Sequence, residues 1–490
     1  MESPVKPVND EKMNWNRITL TERGVSMSFR DALGKQLIIA DGALGTQLQA
    51  AGLGAGEAPL RWNITHPEEV LKVHCSYLEA GATLLTTNTF STGVLMLAGE
   101  GACAEEALSS GVALAREAVE QQGADAFVAL NVGPLGQLLK PLGQVPFDTA
   151  VELFARQVVL GAAAGADLVL IETMLDSYEL KAAVLAAKEA SDLPVAATVA
   201  LNERGRMLNG ADCACVCALL EGLGVDALGI NCGVGPREVA PFIKEFREHT
   251  SLPLILNPNA GLPLVVDGQT TYPVGAEEFA ACMRPLVEEY TAVAGGCCGT
   301  TPAHIKALAE SCRQVIPQAP LPQTRRVVNS YAAAIDLEAV GELRIDRRID
   351  PATDNLLAAS LAAGDPAHAL DAVFDALDDG AQIIGICAHN PGIDEARMLP
   401  ALVEAVQGVV RVPLLFISAD LSALERALRI YNGCALVNLS RFASDQLEAA
   451  KALSARYGAV IEGCHKGTGA FRSKGACVVM DSPARPANDT

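Results

Sequence analysis

The chain has 490 residues, 58 Asp+Glu against 37 Lys+Arg, a formal net charge of −21 and 50% apolar residues. That balance argues against nucleic acid or an anionic membrane as partner, because both need clustered Lys/Arg, and the apolar fraction rules out wholesale disorder. No apolar run reaches the roughly 18 uncharged residues of a membrane span, and the polar start MESPVKPVNDEK lacks a signal-peptide core, so a cytoplasmic protein is expected.

Residues 1–26 read as a loose N-terminal tail. From Leu37 onward, short apolar runs that end in turn residues alternate with stretches of helical spacing. The runs are LIIADGALG (37–45), ATLLTTNTF (82–90), AFVALNVGP (126–134), DLVLIET (167–173), PVAATVAL (194–201), ALGINCG (227–233), LPLILNPNAG (252–261) and AVAGGCCG (292–299). They are continuously apolar rather than alternating, which is the pattern of parallel strands buried on both faces. Strand and helix eight times over predicts a (β/α)8 TIM barrel over 27–314. A doubly wound open sheet is the second choice, weakened because no Gly-x-Gly-x-x-Gly follows the first strand.

A Pro-rich stretch, QVIPQAPLPQTRR, opens a linker over 315–340. A second α/β series follows over 341–465, with strands predicted at GELRID (341–346), AQIIGIC (381–387), RVPLLFIS (411–418), CALVNLS (434–440) and GAVIEGC (458–464). Five strands are too few to close a barrel, so a partial, half-barrel-like domain is expected, whose apolar inner face needs a cover. Residues 466–490, rich in Gly, Ser, Pro and Lys, read as a flexible tail.

In a barrel, side chains at the C-terminal strand ends converge on one mouth. Asp41 ends the first run, Asn88 the second, Glu172 the fourth, Cys232 the sixth, Asn257 and Asn259 the seventh, and Cys297 and Cys298 the eighth. Of the 14 cysteines, Cys75, Cys103, Cys213, Cys215, Cys217, Cys282 and Cys312 fit as small apolar packing residues. For Cys232, Cys297 and Cys298 three readings stay open: a Zn²⁺ cluster with one coordination position free, three buried thiols without metal, or a strained vicinal disulfide. For Asp41, a turn or helix-cap role stands beside a ligand role, since Asp-Gly is a strong turn pair.

DGALGTQL (41–48), TTNTF (86–90), IETMLD (171–176), GINCGVGP (229–236), PNAGLP (258–263) and GGCCGTTPAHI (295–305) together resemble the homocysteine S-methyltransferase family. This is the family of the homocysteine domain of cobalamin-dependent methionine synthase and of betaine–homocysteine methyltransferase. The resemblance implies a (β/α)8 barrel with Cys232, Cys297 and Cys298 as zinc ligands. It implies Asp41 and Glu172 as the acids that hold the substrate ammonium, Asn259 as a displaceable fourth ligand, and Asn88 with Thr89 in a loop at the same mouth. The implied reaction is methyl transfer to homocysteine, giving methionine. Three thiolates leave Zn²⁺ with a net charge of about −1, so a fourth thiolate is held loosely and stays electron-rich.

The second region, through RIDRRIDPAT (344–353), DDGAQIIGICAHNPGIDEARML (378–399) and VPLLFISADLSALERAL (412–428), resembles the start of a pterin-binding domain. Gly385, Cys387 and Ile417 replace polar residues of that pattern, and Asn438 remains. Methyltetrahydrofolate is therefore not expected to be the direct donor. Expected donors are a methylcobamide carried by a separate corrinoid protein, or a small methylated sulfonium or ammonium compound. Two alternatives stand beside this reading: a corrinoid-dependent demethylase with another acceptor, and a non-catalytic zinc-binding scaffold.

Overall fold

The computed structural model describes residues 27–54, 56–266, 269–317, 326–462 and, as backbone, 477–480. The expected tail over 1–26 lies outside the described residues. The eight apolar runs form eight parallel strands: β1 (Ile38–Ile39), β2 (Leu84–Thr86), β3 (Phe127–Val132), β4 (Leu168–Met174), β5 (Val195–Val199), β6 (Ala227–Asn231), β7 (Leu254–Asn257) and β8 (Val293–Ala294). They pair in order from β2 to β7, then β7 with β8 and β8 with β1. A parallel bridge between Ala40 and Leu84 closes the ring, reinforced by Asp41 N–H to Leu84 O at 3.0 Å. The expected barrel is therefore present.

Its interior explains the continuous apolar runs. Ile38, Ala40, Leu84, Phe127, Ala129, Leu168, Leu170, Ala196, Ala227, Ile255 and Val293 fill the inside, while the intervening residues pack against the surrounding helices. Phe29 and Ala32, on the short helix Phe29–Ala32, join the inner cluster, with the Phe29 ring edge-on to Phe127 at 5.6 Å. The bottom of the barrel is thus plugged, and only the opposite end is left for chemistry. Among the described residues, no helix is long and apolar enough to cross a membrane.

The second unit is a parallel sheet of β9 (Leu343–Ile349), β10 (Ile383–Cys387), β11 (Leu414–Ile417), β12 (Leu436–Asn438), β13 (Val460–Ile461) and β14 (Cys477–Met480). Its order is β13-β12-β11-β10-β9-β14. Two expectations need correction here. Residues 477–480, read as part of a flexible tail, form a sixth strand whose Cys477 pairs with Leu343 and Met480 with Asp346. The stretch 315–340, read as a linker, contains an antiparallel hairpin of Val327–Asn329 with Ala334–Asp336. That hairpin answers what covers the inner face of the open sheet. Val328, Leu337 and the half-buried Ile335 and Val340 pack on Leu343, Ile345, Ile383, Leu415, Ile417 and Leu436. Burying this face gains about 25 cal/mol per Å² of apolar surface, which holds the crossing segment down.

The two units share buried polar contacts. Lys181, on the helix Ser177–Ala190, is fully buried. Its ammonium donates to Leu428 O at 2.7 Å and Tyr431 O at 2.5 Å, carbonyls at the C-terminal end of the helix Leu421–Ile430. A cation at a helix C-terminus also meets the negative end of the helix dipole. Asn329 donates to Cys215 O, and Arg429 pairs with Glu189 and Asp148. Lys181→Met removes both hydrogen bonds and leaves buried Leu428 O without the ammonium donor, at a cost of about 1–3 kcal/mol. The expected result is a lower urea midpoint for the whole chain; an unchanged midpoint would contradict this strut.

Candidate metal and substrate site

The mouth is assembled at the seam where β8 closes on β1. Gly295 leaves β8 so close to the first strand that a Cβ there would lie 2.8 Å from Asp41 O and 2.8 Å from Ala40 Cβ. At Gly296 a Cβ would lie 2.4 Å from Thr300 Cγ2. Two glycines are required, and they let Gly296 N–H bond Asp41 O at 3.2 Å. Cys297 and Cys298 follow directly. Across β7, Cys297 N–H bonds Pro258 O at 2.8 Å, and Cys298 O accepts from Ala260 N–H at 2.9 Å.

Cys232 reaches the same point from β6. Its backbone is left-handed, φ +57°, an uncommon state for a residue with a side chain. Cys232 N–H bonds Asn257 O at 3.1 Å, and Gly233 continues left-handed at φ +71°. The turn aims the thiol at the other two, and the sulfurs of Cys232, Cys297 and Cys298 lie within 4.8 Å of one another. All three cysteines are free and half-buried. Hydrogen bonds from Cys297 and Cys298 hold the Cys232 thiol well below the usual range. The same contacts, with burial, push Cys297 upward. A soft dication would favour the thiolate form of all three and could take them as ligands, so the donor set fits a metal with one position open.

Asn259 supports that fit. Its side chain is hydrogen-bonded to Cys232, while its buried Oδ1 has no partner among the described residues. An orphaned amide oxygen beside three thiols could serve as a fourth donor. Tyr272, which follows a small hairpin of Leu264–Val266 with Gln269–Thr271, bonds Cys298 from the solvent side. Its ring occupies the place of a Cβ on Gly299, 2.1 Å from Tyr272 Cγ, and Gly299 is left-handed.

The acids stand beside the thiols. Asp41 is 2% exposed and accepts from Thr86 N–H at 2.8 Å and from Thr86 Oγ1 at 3.0 Å. Its side chain therefore reaches across to β2 and does not cap the helix Leu44–Ala50, whose N-cap has no side-chain bond. Burial, with Glu172 nearby, pushes its carboxyl well above the ordinary range, against the Thr86 bonds. Glu172 sits on a bulge where the β4 register shifts between Ile171 and Met174. Burial raises it to about 7, opposed by a 2.7 Å bond from Asn131 Nδ2 and assisted by the Cys232 charge. Two carboxyls that resist ionising alone are stabilised by a bound cation such as an ammonium.

Asn88 is used differently. Its Nδ2 donates to Pro59 O and Asn63 Oδ1, both at 2.8 Å, and its backbone carbonyl accepts from Asn63. It braces the loop after β2, and its amide nitrogen is not free for a ligand. Thr89 likewise bonds inward, to Asn131 O at 2.7 Å. Asn131, Asn231, Thr173 and Tyr272 were not singled out from the sequence. Asn131 and Asn231 were legible as polar residues inside apolar runs, whereas Thr173 and Tyr272 carried no signal.

The C-terminal edge of the second sheet is closed by its own charges. Arg441 pairs with Asp350 and bonds Cys387 Sγ at 3.1 Å. Arg347 pairs with Glu462, which also accepts from Asn438. His389 pairs with Glu395, which accepts from Ser418.

A closed parallel barrel whose mouth joins three thiols, which could hold a metal ion, to two buried carboxyls defines the class: (β/α)8 barrels with a cysteine-lined mouth. The homocysteine S-methyltransferase family model matches residues 38–312, and the chain belongs to that family. It is 30% identical over 458 residues to a methionine synthase of Mycobacterium tuberculosis, covering 88% of this chain and 38% of that one. Against a methionine synthase of Mycobacterium leprae it is 28% identical over 435 residues, covering 83% and 36%. The chain thus spans little more than a third of these relatives' length. The metallated form of the homocysteine methyltransferase MmuM of Escherichia coli is similar at 25% identity and a TM-score of 0.48, covering 56% of this chain and 96% of that one.

Cys297→Ser replaces the central thiol of the trio by a poor ligand for a soft ion. Wild-type protein is expected to carry about one metal ion per chain by elemental analysis, and the variant to lose most of it. Full retention would sink the three-thiolate site.

Proposed function

We propose that the protein is a zinc-dependent S-methyltransferase that moves a methyl group onto the thiol of homocysteine, giving methionine. The observation that carries this reading is the three-thiol cluster of Cys232, Cys297 and Cys298 at one mouth with Asp41 and Glu172. Zinc bound there supplies the charge that keeps the homocysteine sulfur as thiolate near pH 7, although a free thiol ionises near 8.5. Asp41 and Glu172 hold the ammonium of the amino acid, and Asn259 gives up its place to the incoming sulfur. The thiolate attacks the donor methyl; an S–C bond forms, and the donor keeps the electron pair of the broken bond.

The paired carboxyls favour this reading over a zinc scaffold, which needs no site for an ammonium. They also favour an amino-acid thiol over a demethylase with a simpler acceptor. For the donor we propose a methylcobamide on a separate corrinoid protein, with a methylated sulfonium or ammonium compound as second choice. The second unit we read as a pterin-binding-like domain that does not take methylfolate, because the groups at its strand ends pair with one another.

Methyl transfer to homocysteine is to be measured with each donor, with and without added cobamide. Methionine is expected from at least one of these donors, and none from methyltetrahydrofolate alone. Failure with every donor would defeat the transferase reading. Binding provides a separate check. Homocysteine loses its thiol proton on the metal, and its ammonium favours ionised Asp41 and Glu172, so calorimetry in buffers of different ionisation enthalpy should show at least one proton released near pH 7. Affinity should then rise with pH up to about 8.5, the ordinary thiol pKa. Zero release would mean that the sulfur does not bind the metal directly.

A further inference from the structure

Asn231, the last residue of β6, is fully buried and immediately precedes Cys232. Its amide is used on every side. Oδ1 accepts from Thr173 N–H and from Thr198 Oγ1, both at 2.9 Å. Nδ2 donates to Thr173 Oγ1 at 2.7 Å, and its remaining hydrogen faces Glu172 Oε2 at 3.5 Å and Cys297 Sγ at 3.9 Å. An amide has two donor hydrogens, so one is committed to Thr173 while the other is shared between the carboxylate and the sulfur.

The partner it grips is strained. Thr173 is β-branched and sits at φ +59°, a conformation such residues avoid. It lies within the β4 bulge, directly after Glu172. A strained residue persists only where its surroundings over-determine it, and here the surroundings are two hydrogen bonds from one amide. Releasing them frees the bulge and with it the aim of Glu172.

We infer that Asn231 is a positioning residue that ties Cys297 to Glu172 and thereby sets the span between the sulfur site and the ammonium site. This inference rests on the proposed homocysteine reading. A fixed span selects the length of the thiol amino acid. Homocysteine and cysteine carry the same end groups and differ by one methylene, and a site that gauges length separates such pairs by about 10–200-fold. Selectivity that depends on a fixed span goes beyond supplying ligands: it makes the barrel a ruler for the acceptor.

The test compares wild type, Asn231→Ala and Thr198→Val, each zinc-loaded, in calorimetric titrations with homocysteine and with cysteine. Elemental analysis gives the metal content, and the cobalt-substituted forms report the thiolate-to-metal charge-transfer band. Asn231→Ala is expected to keep about one metal per chain and to lose at least tenfold in homocysteine affinity, with its preference over cysteine narrowed and the cobalt band shifted. Thr198→Val keeps the shape and removes one bond to Asn231 Oδ1, so a smaller loss in the same direction is expected. If Asn231→Ala does not fold, Thr198→Val decides. A folded, metal-loaded variant with unchanged homocysteine affinity and unchanged selectivity overturns the inference alone. If loaded wild type binds neither amino acid, the homocysteine reading falls and takes this inference with it.

Discussion

The mouth depends on one close approach: the end of β8 against the end of β1. No side chain fits at Gly295 or Gly296, because Ala40, Asp41 and Thr300 already occupy the space. The same contact closes the barrel, sets Asp41 beside the eighth strand and delivers two adjacent cysteines to one point. Closure of the fold and assembly of the site are thus a single steric event. A methyl group at Gly295 would press on β1, and one at Gly296 on Thr300 beside the cysteines.

Electrostatics then decides what the mouth wants. Three thiols and two buried carboxyls are five acids in a space that cannot hold five negative charges. Burial keeps Asp41 and Glu172 above their ordinary range, and the thiols' mutual hydrogen bonds lower Cys232 while raising Cys297. A positive group in place of those protons would let the acids ionise. On the proposed function, a metal dication would answer the sulfurs and an ammonium the carboxyls.

Much of this was legible in the sequence. Continuous apolar runs marked all eight barrel strands, because a strand buried on both faces has no room for polar alternation. The clustered Cys, Asp and Glu at run ends marked the mouth. What was missed shares a physical cause: it depends on partners far along the chain. The strand Cys477–Met480 follows a Gly- and Lys-rich stretch and gains its meaning only from pairing with β9. The hairpin over 327–336 is short and its strand Ala334–Asp336 is only half-buried, so no period shows. Asp41 was left between a cap and a ligand role because its bond to Thr86 spans 45 positions. Asn231 reads as one polar residue in an apolar run, and its five contacts come from three other strand ends.

The hairpin that covers the second sheet has a consequence for modularity. Two barrel-like halves invite the picture of beads on a string, separable at the Pro-rich crossing. Yet the segment after the crossing belongs to both sides: Val328 fills the sheet, while Asn329 bonds a barrel helix at Cys215 and the sheet unit at Cys434. Cutting there would strip the sheet of its lining and expose the barrel face that carries Lys181. In evolutionary terms, neither half is a free cassette. Recombination that swaps one half alone would inherit a wound on the other.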